Sequence, residues 1–213
     1  MNHNSIIVPE GLPFIIPLGI FTLIFSLFGI IWAATIFFIA TCFVAWFFRN
    51  PEREFADGAK AVVSPADGEI IKIENVVQSD LLDGPARKIS VFMNVFNVHV
   101  NRIPYSGTVV SIEYDKGNFF SANLDKASEL NERNSVLVKT DDGKKILIVQ
   151  IAGLIARRIE CWVTEGMHVR KGERFGLIRF GSRLEVFLPP DAIISIRVGD
   201  KVRAGETLIG WLK

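Results

Sequence analysis

Charged residues are missing from one long part of this sequence. The chain has 213 residues and a net charge of +1, yet residues 11–48 contain no Asp, Glu, Lys or Arg and are rich in Phe, Ile, Leu and Ala. As one helix these 38 residues would extend about 57 Å, against about 30 Å of bilayer hydrocarbon. They therefore predict a transmembrane helical hairpin, residues 12–28 and 30–48, that turns near Gly29. A single tilted helix is the alternative.

The run also lacks the basic leading region of a signal peptide and is too long for an ordinary signal core. We therefore expect residues 1–48 to remain as a membrane anchor, with residues 49–213 as the second domain. The first basic residues after the run are Arg49 and Arg53. Because basic flanks tend to stay in the cytoplasm, this domain is expected on the cytoplasmic side of the cell membrane.

Cysteine is scarce as well, and the charge is nearly balanced. Cys42 lies in the apolar run and Cys161 in the second domain, so no disulfide framework points to export. The balanced charge argues against a nucleic-acid partner. No metal site is expected.

Residues 49–213 are predicted to be mainly β. The pattern Gly166-x-x-Val169-x-x-Gly172-Glu173 recurs 33 residues later as Gly199-x-x-Val202-x-x-Gly205-Glu206. It resembles the turn-and-strand unit of lipoyl- and biotin-carrier-like domains, which implies a barrel-sandwich fold. The lysine tip of such carriers is missing. Residues 121–134 are expected to include a short helix.

A Gly-Ser pair, Gly181-Ser182, lies between the two copies of the repeat. Glycine permits a tight bend directly before the serine, and an alternating strand over residues 184–188 follows. A glycine in front of the serine also removes a Cβ that would obstruct attack of the hydroxyl on the preceding carbonyl. An ordinary turn would use the same two residues.

Two earlier segments carry further candidate residues. Asp67 lies in Ser-Pro-x-Asp-Gly, which is also a normal turn sequence. His99 is followed five residues later by Pro104. If residues 97–101 are extended, Asn97, His99 and Asn101 share one face, which lines either a wet cleft or an ordinary solvent-facing surface.

Together these three ordered segments resemble the phosphatidylserine decarboxylase family in its short prokaryotic form. The resemblance implies self-cleavage between Gly181 and Ser182 into a heterodimer of chains 1–181 and 182–213. It also implies that Ser182 becomes a covalent pyruvoyl group, the cofactor. This group would form a Schiff base with a phospholipid, phosphatidylserine or its archaeal ether analogue, and decarboxylation would give phosphatidylethanolamine.

The same resemblance makes Asp67 and His99 the expected proton-transfer pair for processing, with the aspartate orienting the imidazole. One departure is Arg102, which stands where long bacterial members have a second histidine. Either His99 serves both processing and decarboxylation, or another group such as His168 takes one duty. We expect Arg102 and Arg183 to contact the lipid phosphate, the alternative being two solvated surface arginines.

Two other functions fit parts of the sequence. A membrane adaptor with a lipoyl-like domain explains the anchor and the repeat but not the Gly-Ser pair. A serine hydrolase would use Ser182, His99 and Asp67, although no Gly-x-Ser-x-Gly elbow surrounds the serine. Cleavage at Ser182 distinguishes the decarboxylase from both alternatives.

Overall fold

The computed structural model describes residues 5–55, 58, 60–79, 82, 84–118, 120, 130–153, 158–179 and 181–213. The chain divides into two compact units, Met1–Glu52 and Arg53–Lys213. The division falls four residues after the boundary predicted from the sequence.

The first unit is the expected pair of apolar helices. A short 3-10 turn, Pro9–Gly11, leads into α1 (Leu12–Leu27), and α2 (Ile31–Phe47) follows. Gly29 connects them with a φ of 72°, in the left-handed region that glycine tolerates. With its preceding turn, α1 forms an apolar helix of 19 residues, Pro9–Leu27, which is long enough to cross a membrane, whereas α2 is shorter.

The second unit is mainly β, as predicted. The strands that the structure describes are β1 (Ala61–Val63), β2 (Gly68–Ser79), β3 (Gly84–Met93), β4 (Val100–Arg102), β5 (Gly107–Asp115), β6 (Arg133–Lys139), β7 (Lys145–Ala152), β8 (Ile159–Cys161), β9 (His168–Val169), β10 (Arg174–Ile178), β11 (Ser182–Leu188), β12 (Ile193–Ile194), β13 (Lys201–Val202) and β14 (Leu208–Trp211).

Eight of these strands form one antiparallel sheet in the order β13-β2-β3-β11-β7-β6-β5-β9. The strand that begins at Ser182 is therefore central, between β3 and β7. Its alternate residues Leu184, Val186 and Leu188 enter the main core, as the apolar pattern of residues 184–188 predicts. Two three-stranded sheets, β1-β14-β12 and β4-β10-β8, complete the unit.

The glycine repeat supplies both edges of the large sheet. Its first copy contains β9 and its second copy β13, the two outermost strands. A Cβ added to Gly172 or to Gly205 would meet the ring of Phe55, at 2.1 Å and 3.2 Å. Both copies thus approach the same aromatic side chain, so the sheet curls and brings its two edges near each other.

The expected helix in residues 121–134 can be examined only at its C-terminal end, where Leu130 is helical. Residues 121–129 lie outside the described residues, and the segment from Arg133 onward is strand β6. The apolar alternation of residues 136–138 continues into this strand because Val136 and Val138 are buried in the main core. The predicted bounds therefore extend too far, because the last two residues of the range, Arg133 and Asn134, belong to β6.

Candidate active site

Strand pairing brings the three sequence segments to one end of the large sheet. Ser182, the first residue of β11, pairs with Met93, the last residue of β3. On the other side of β3, Glu69 pairs with Phe92, so the start of β2 lies at the same end. Asp67 precedes β2 and His99 follows β3 by a short turn, and the candidate residues therefore gather at this "site end".

Ser182 carries an unusual hydroxyl. The residue is fully buried, and its Oγ has no hydrogen-bond partner among the described residues. Leaving a buried polar group unpaired costs about 1 to 3 kcal/mol. Since folded proteins rarely retain such a group without a use, the serine is a candidate for chemistry rather than for support.

Gly181 holds the backbone in a left-handed conformation, with φ of 74°. A Cβ built on this glycine would meet nothing within 4 Å apart from its chain neighbours. The backbone angle therefore favours glycine at this position. Crowding of the Ser182 hydroxyl by a Cβ at residue 181, the reason proposed from the sequence, concerns the adjoining residue and stays a prediction.

The hydrogen bonds of His99 define its tautomer. Nδ1 lies 3.0 Å from the carbonyl oxygen of Asn97, which can only accept, so Nδ1 carries the proton. The other nitrogen, Nε2, accepts a hydrogen bond from the amide of Gly181 at 3.3 Å. A buried imidazole lone pair thus accepts from the N–H of Gly181, the residue before Ser182.

The segment around His99 differs from the extended strand expected for residues 97–101. The chain turns at residues 94–97, and only Val100–Arg102 is strand. Asn101 is fully buried and its Oδ1 accepts a hydrogen bond from Gln150 Nε2 at 2.9 Å. The polar row therefore lines neither a wet cleft nor a solvent-facing surface, because Asn101 is held inside the domain.

Asp67 is also almost fully buried and is held by two different groups. Nη2 of Arg53 lies 2.9 Å and 3.2 Å from its two carboxylate oxygens. The amide of Ala204 donates to Oδ1 at 2.8 Å. The partner of the imidazole Nδ1 is the Asn97 carbonyl, so the orienting role expected of Asp67 stays a prediction.

The two arginines expected at the lipid phosphate are buried, which excludes the alternative of solvated surface residues. Nη1 of Arg102 donates to the Gly172 carbonyl at 2.8 Å. Nε of Arg183 lies 3.5 Å from Oε1 of Glu185. Both guanidinium groups therefore have partners inside the domain.

His168, the alternative second histidine, is exposed on the edge strand β9. It pairs with Thr108, which in turn pairs with Lys139 at the end of β6. The start of β7, and hence the far end of β11, lies at that same side of the sheet. The structure thus places His168 away from the site end.

Several residues of the site were missed from the sequence. Gln150 is linked to Asn101 and also accepts a hydrogen bond from Asn134 at 2.9 Å. Asn131 donates to the carbonyl of Ala152, the residue paired with Ser182, at 2.7 Å. Of these residues, Gln150 could have been recognised from the sequence, because its polar side chain interrupts the apolar run of strand β7.

Comparison with known proteins gives a consistent result. A family model described as phosphatidylserine decarboxylase matches residues 40–210. A protein of Syntrophus aciditrophicus is 57% identical over 211 residues, covering 99% of each chain. Relatives from Desulfotalea psychrophila and Geobacter sulfurreducens are 49% and 45% identical, covering 95% and 99% of each chain. All three carry the name phosphatidylserine decarboxylase proenzyme.

Proposed function

The chain belongs to the phosphatidylserine decarboxylase family, and from this we propose that it cuts itself between Gly181 and Ser182 and then decarboxylates phosphatidylserine. It is an enzyme, because relatives that match it along nearly the whole chain are named as decarboxylase proenzymes. The adaptor and hydrolase alternatives are set aside for the same reason. The observation that carries the self-cleavage proposal is the buried hydroxyl of Ser182, for which the described part of the chain offers no hydrogen-bond partner.

The cleavage uses atoms that the structure holds close together. Oγ of Ser182 adds to the carbonyl carbon of Gly181, the C–N bond breaks, and the amine of residue 182 takes a proton, leaving an ester. A base then removes the Cα proton of residue 182 and the Gly181 carboxylate leaves, which gives dehydroalanine. Water replaces its nitrogen, which departs as ammonia, and the new chain begins with a ketone.

His99 is the proposed base for the hydroxyl. Its Nε2 is unprotonated in the observed tautomer and lies at the amide of Gly181. A general base must lie within hydrogen-bond reach of its proton, or reach it through one water, and catalytic contacts often tighten during reaction. The Asn97 carbonyl fixes the ring and would stabilise the imidazolium once the proton has moved.

Asp67 is the proposed acidic partner in processing, and Arg53 is its support. Nη2 of Arg53 contacts both carboxylate oxygens, and the Ala204 amide donates to one of them. Arg53 also lies 3.2 Å from Glu206 through Nη1. Because Ala204 and Glu206 belong to residues 182–213, this cluster would connect the two chains after cleavage.

A pyruvoyl group made from Ser182 fits the residues present. It would occupy the head of β11, held by pairing with Met93 on one side and Ala152 on the other. When bound to substrate, such a group supplies the electron sink for decarboxylation. The chain contributes a buried position that excludes bulk water, and His99 hydrogen-bonds to the preceding residue, Gly181.

The lipid is proposed to meet the enzyme at the membrane, with the second unit in the cytoplasm. Helix α1 supports membrane association, and the basic flank after the apolar run supports this orientation. Phosphate contact by Arg102 and Arg183 stays a prediction, since a phosphate would have to share or displace their present partners. Both diacyl and ether lipids present the same headgroup.

The decisive experiment is a denaturing gel of the purified protein together with an intact-mass measurement, followed by an activity assay. We expect chains of 181 and 32 residues, the smaller one resistant to N-terminal sequencing. The cleaved protein should release CO2 from phosphatidylserine, and borohydride added with substrate should attach lipid mass to the smaller chain. Fully cleaved protein that gives neither result with any serine phospholipid, diacyl or ether, would contradict the proposal.

A further inference from the structure

An aromatic side chain projects beside the proposed site without a role in the chemistry above. Phe96 is 66% exposed, in the turn that joins β3 to His99. Single exposed apolar residues are common and need no explanation by themselves. The hydrogen bonds of this turn and its position at the site end suggest a specific role for Phe96.

The turn is held by its own asparagines. The amide of Phe96 donates to Oδ1 of Asn94 at 2.9 Å, and the amide of Asn94 donates to Oδ1 of Asn97 at 2.9 Å. The amide of Asn97 donates back to the Asn94 carbonyl at 3.0 Å. Three hydrogen bonds thus fix the backbone that carries the ring, and the last residue of this turn also binds His99 Nδ1.

The turn lies at the site end of the sheet. It follows Met93 directly, and Met93 pairs with Ser182. Phe96 lies three positions after Met93, so their Cα atoms are at most about 11 Å apart. Phe96 is therefore exposed close to the buried serine.

We propose that Phe96 inserts into the surface of a phospholipid bilayer and holds the site end of the domain against the membrane. This inference rests on the proposed function, because a headgroup substrate can reach Ser182 while its acyl chains stay in the bilayer only if the site faces the lipid. Aromatic rings favour the membrane interface, and a ring on a fixed turn loses little conformational freedom on insertion.

Val77 provides a matched control. It is 87% exposed, more than Phe96, and it lies in β2 next to the pairing of Val76 with Ala86, at the opposite end of the sheet. If exposure alone drove membrane contact, both residues would insert. If the site end faces the lipid, Phe96 inserts and Val77 stays in water.

The first test measures insertion without substrate. An environment-sensitive fluorophore is attached at Phe96→Cys or at Val77→Cys, in the full chain carrying Cys42→Ala and Cys161→Ser. Both proteins are reconstituted in phosphatidylcholine and phosphatidylglycerol vesicles. We expect a blue shift and quenching by brominated lipids at position 96 and neither at position 77. Equal behaviour of the two positions would overturn the proposal.

The second test asks whether insertion serves catalysis. Decarboxylation of vesicle-bound phosphatidylserine is divided by that of a dispersed short-chain analogue. Phe96→Ser should lower this ratio about tenfold, Phe96→Trp should keep it, and Val77→Ser should match wild type. An unchanged ratio in Phe96→Ser would overturn the proposal. If wild type decarboxylates neither substrate, the proposed function fails, while the quenching test still decides whether Phe96 inserts.

Discussion

The two ends of the large sheet follow different rules. At the far end, β11 stops at Leu188 before Pro189-Pro190, and the nearby β6–β7 turn is closed by ordinary bonds such as Lys144 N–H to Thr140 Oγ1. At the site end, the same strand begins with a buried hydroxyl that has no hydrogen-bond partner among the described residues, after a left-handed glycine. The far end thus uses ordinary stabilising contacts, whereas the site end keeps features that cost stability. Such features are expected where function determines the sequence.

Removal of the Ser182 hydroxyl should have the largest effect on the difference between the two ends of the sheet. Ser182→Ala deletes the proposed nucleophile, so the chain should remain uncut. The same variant lacks a buried hydroxyl that has no hydrogen-bond partner among the described residues. It should therefore unfold at a higher temperature than an uncut protein that keeps Ser182, such as the uncut His99→Ala variant. Intact mass and thermal unfolding measure the two effects.

Ser90→Ala is the matched control, because Ser90 is a buried serine of the same sheet whose Oγ donates to Glu185 at 3.1 Å. This variant should be less stable than wild type by about 1 kcal/mol and should still be cut. An alanine at position 182 that allowed cleavage at this bond would refute the assignment of the nucleophile.

Loss of the proposed proton-transfer residues should have the next largest effect. His99→Ala and Asp67→Asn should each slow processing about 100-fold, and uncut chain should accumulate on a time-resolved gel. His168→Ala, at the far end, should process like wild type. Normal processing in both site variants would show that the family roles do not apply here, and Arg102 would be the first residue to test next.

A smaller effect is expected from backbone strain. Gly181 and Gly143 have φ of 74° and 84°, and neither Cβ position has a neighbour within 4 Å beyond the adjoining residues. In a Ser182→Ala background, Gly181→Ala and Gly143→Ala should each lower the free energy of unfolding by about 1 to 2 kcal/mol. With Ser182 present, only the first should slow cleavage. Equal cleavage rates would mean that the turn before Ser182 plays no part.

The two tyrosines of the chain give the most subtle contrast. Burial and a hydrogen bond to Glu132 raise the pKa of Tyr114, at the site end, to about 12. Burial and the charges of Asp142 and Asp141 raise the pKa of Tyr105 at the far end. Ultraviolet titration should show both ionising above the ordinary range, and Glu132→Gln should lower only the pKa of Tyr114.

The raised pKa of Tyr114 also makes the stability of the folded protein depend on pH. Unfolded tyrosine ionises near pH 10, below the pKa of Tyr114 in the folded protein. The stabilisation is complete below about pH 10 and is lost as the pH rises towards about 12. Denaturant unfolding across this window should show that decline, and a flat profile would contradict the assigned environment of Tyr114.

The sequence predicted more of the backbone than of the side-chain contacts. The apolar pattern of residues 11–48 indicated a hairpin, and the alternation of residues 184–188 placed a strand after the Gly-Ser pair, because both depend on local periodicity. The contact of His99 with Gly181 and the burial of Arg102 against Gly172 were not predictable, since these partners are distant in sequence and depend on register. The helix expected over residues 121–134 extended two residues too far, into the start of strand β6.

The central position of β11 has a consequence for how this protein is made. Residues 182–213 contain β11, β13 and β14, which pair with β3 and β7, β2, and β1 respectively. The precursor assembles these pairings within one chain, at a rate independent of concentration. Once the bond before Ser182 is cut, a denatured molecule would have to recover them by collision of two separate chains. The cleaved protein would therefore not refold readily after denaturation, because the covalent link that let the precursor fold as one chain is gone.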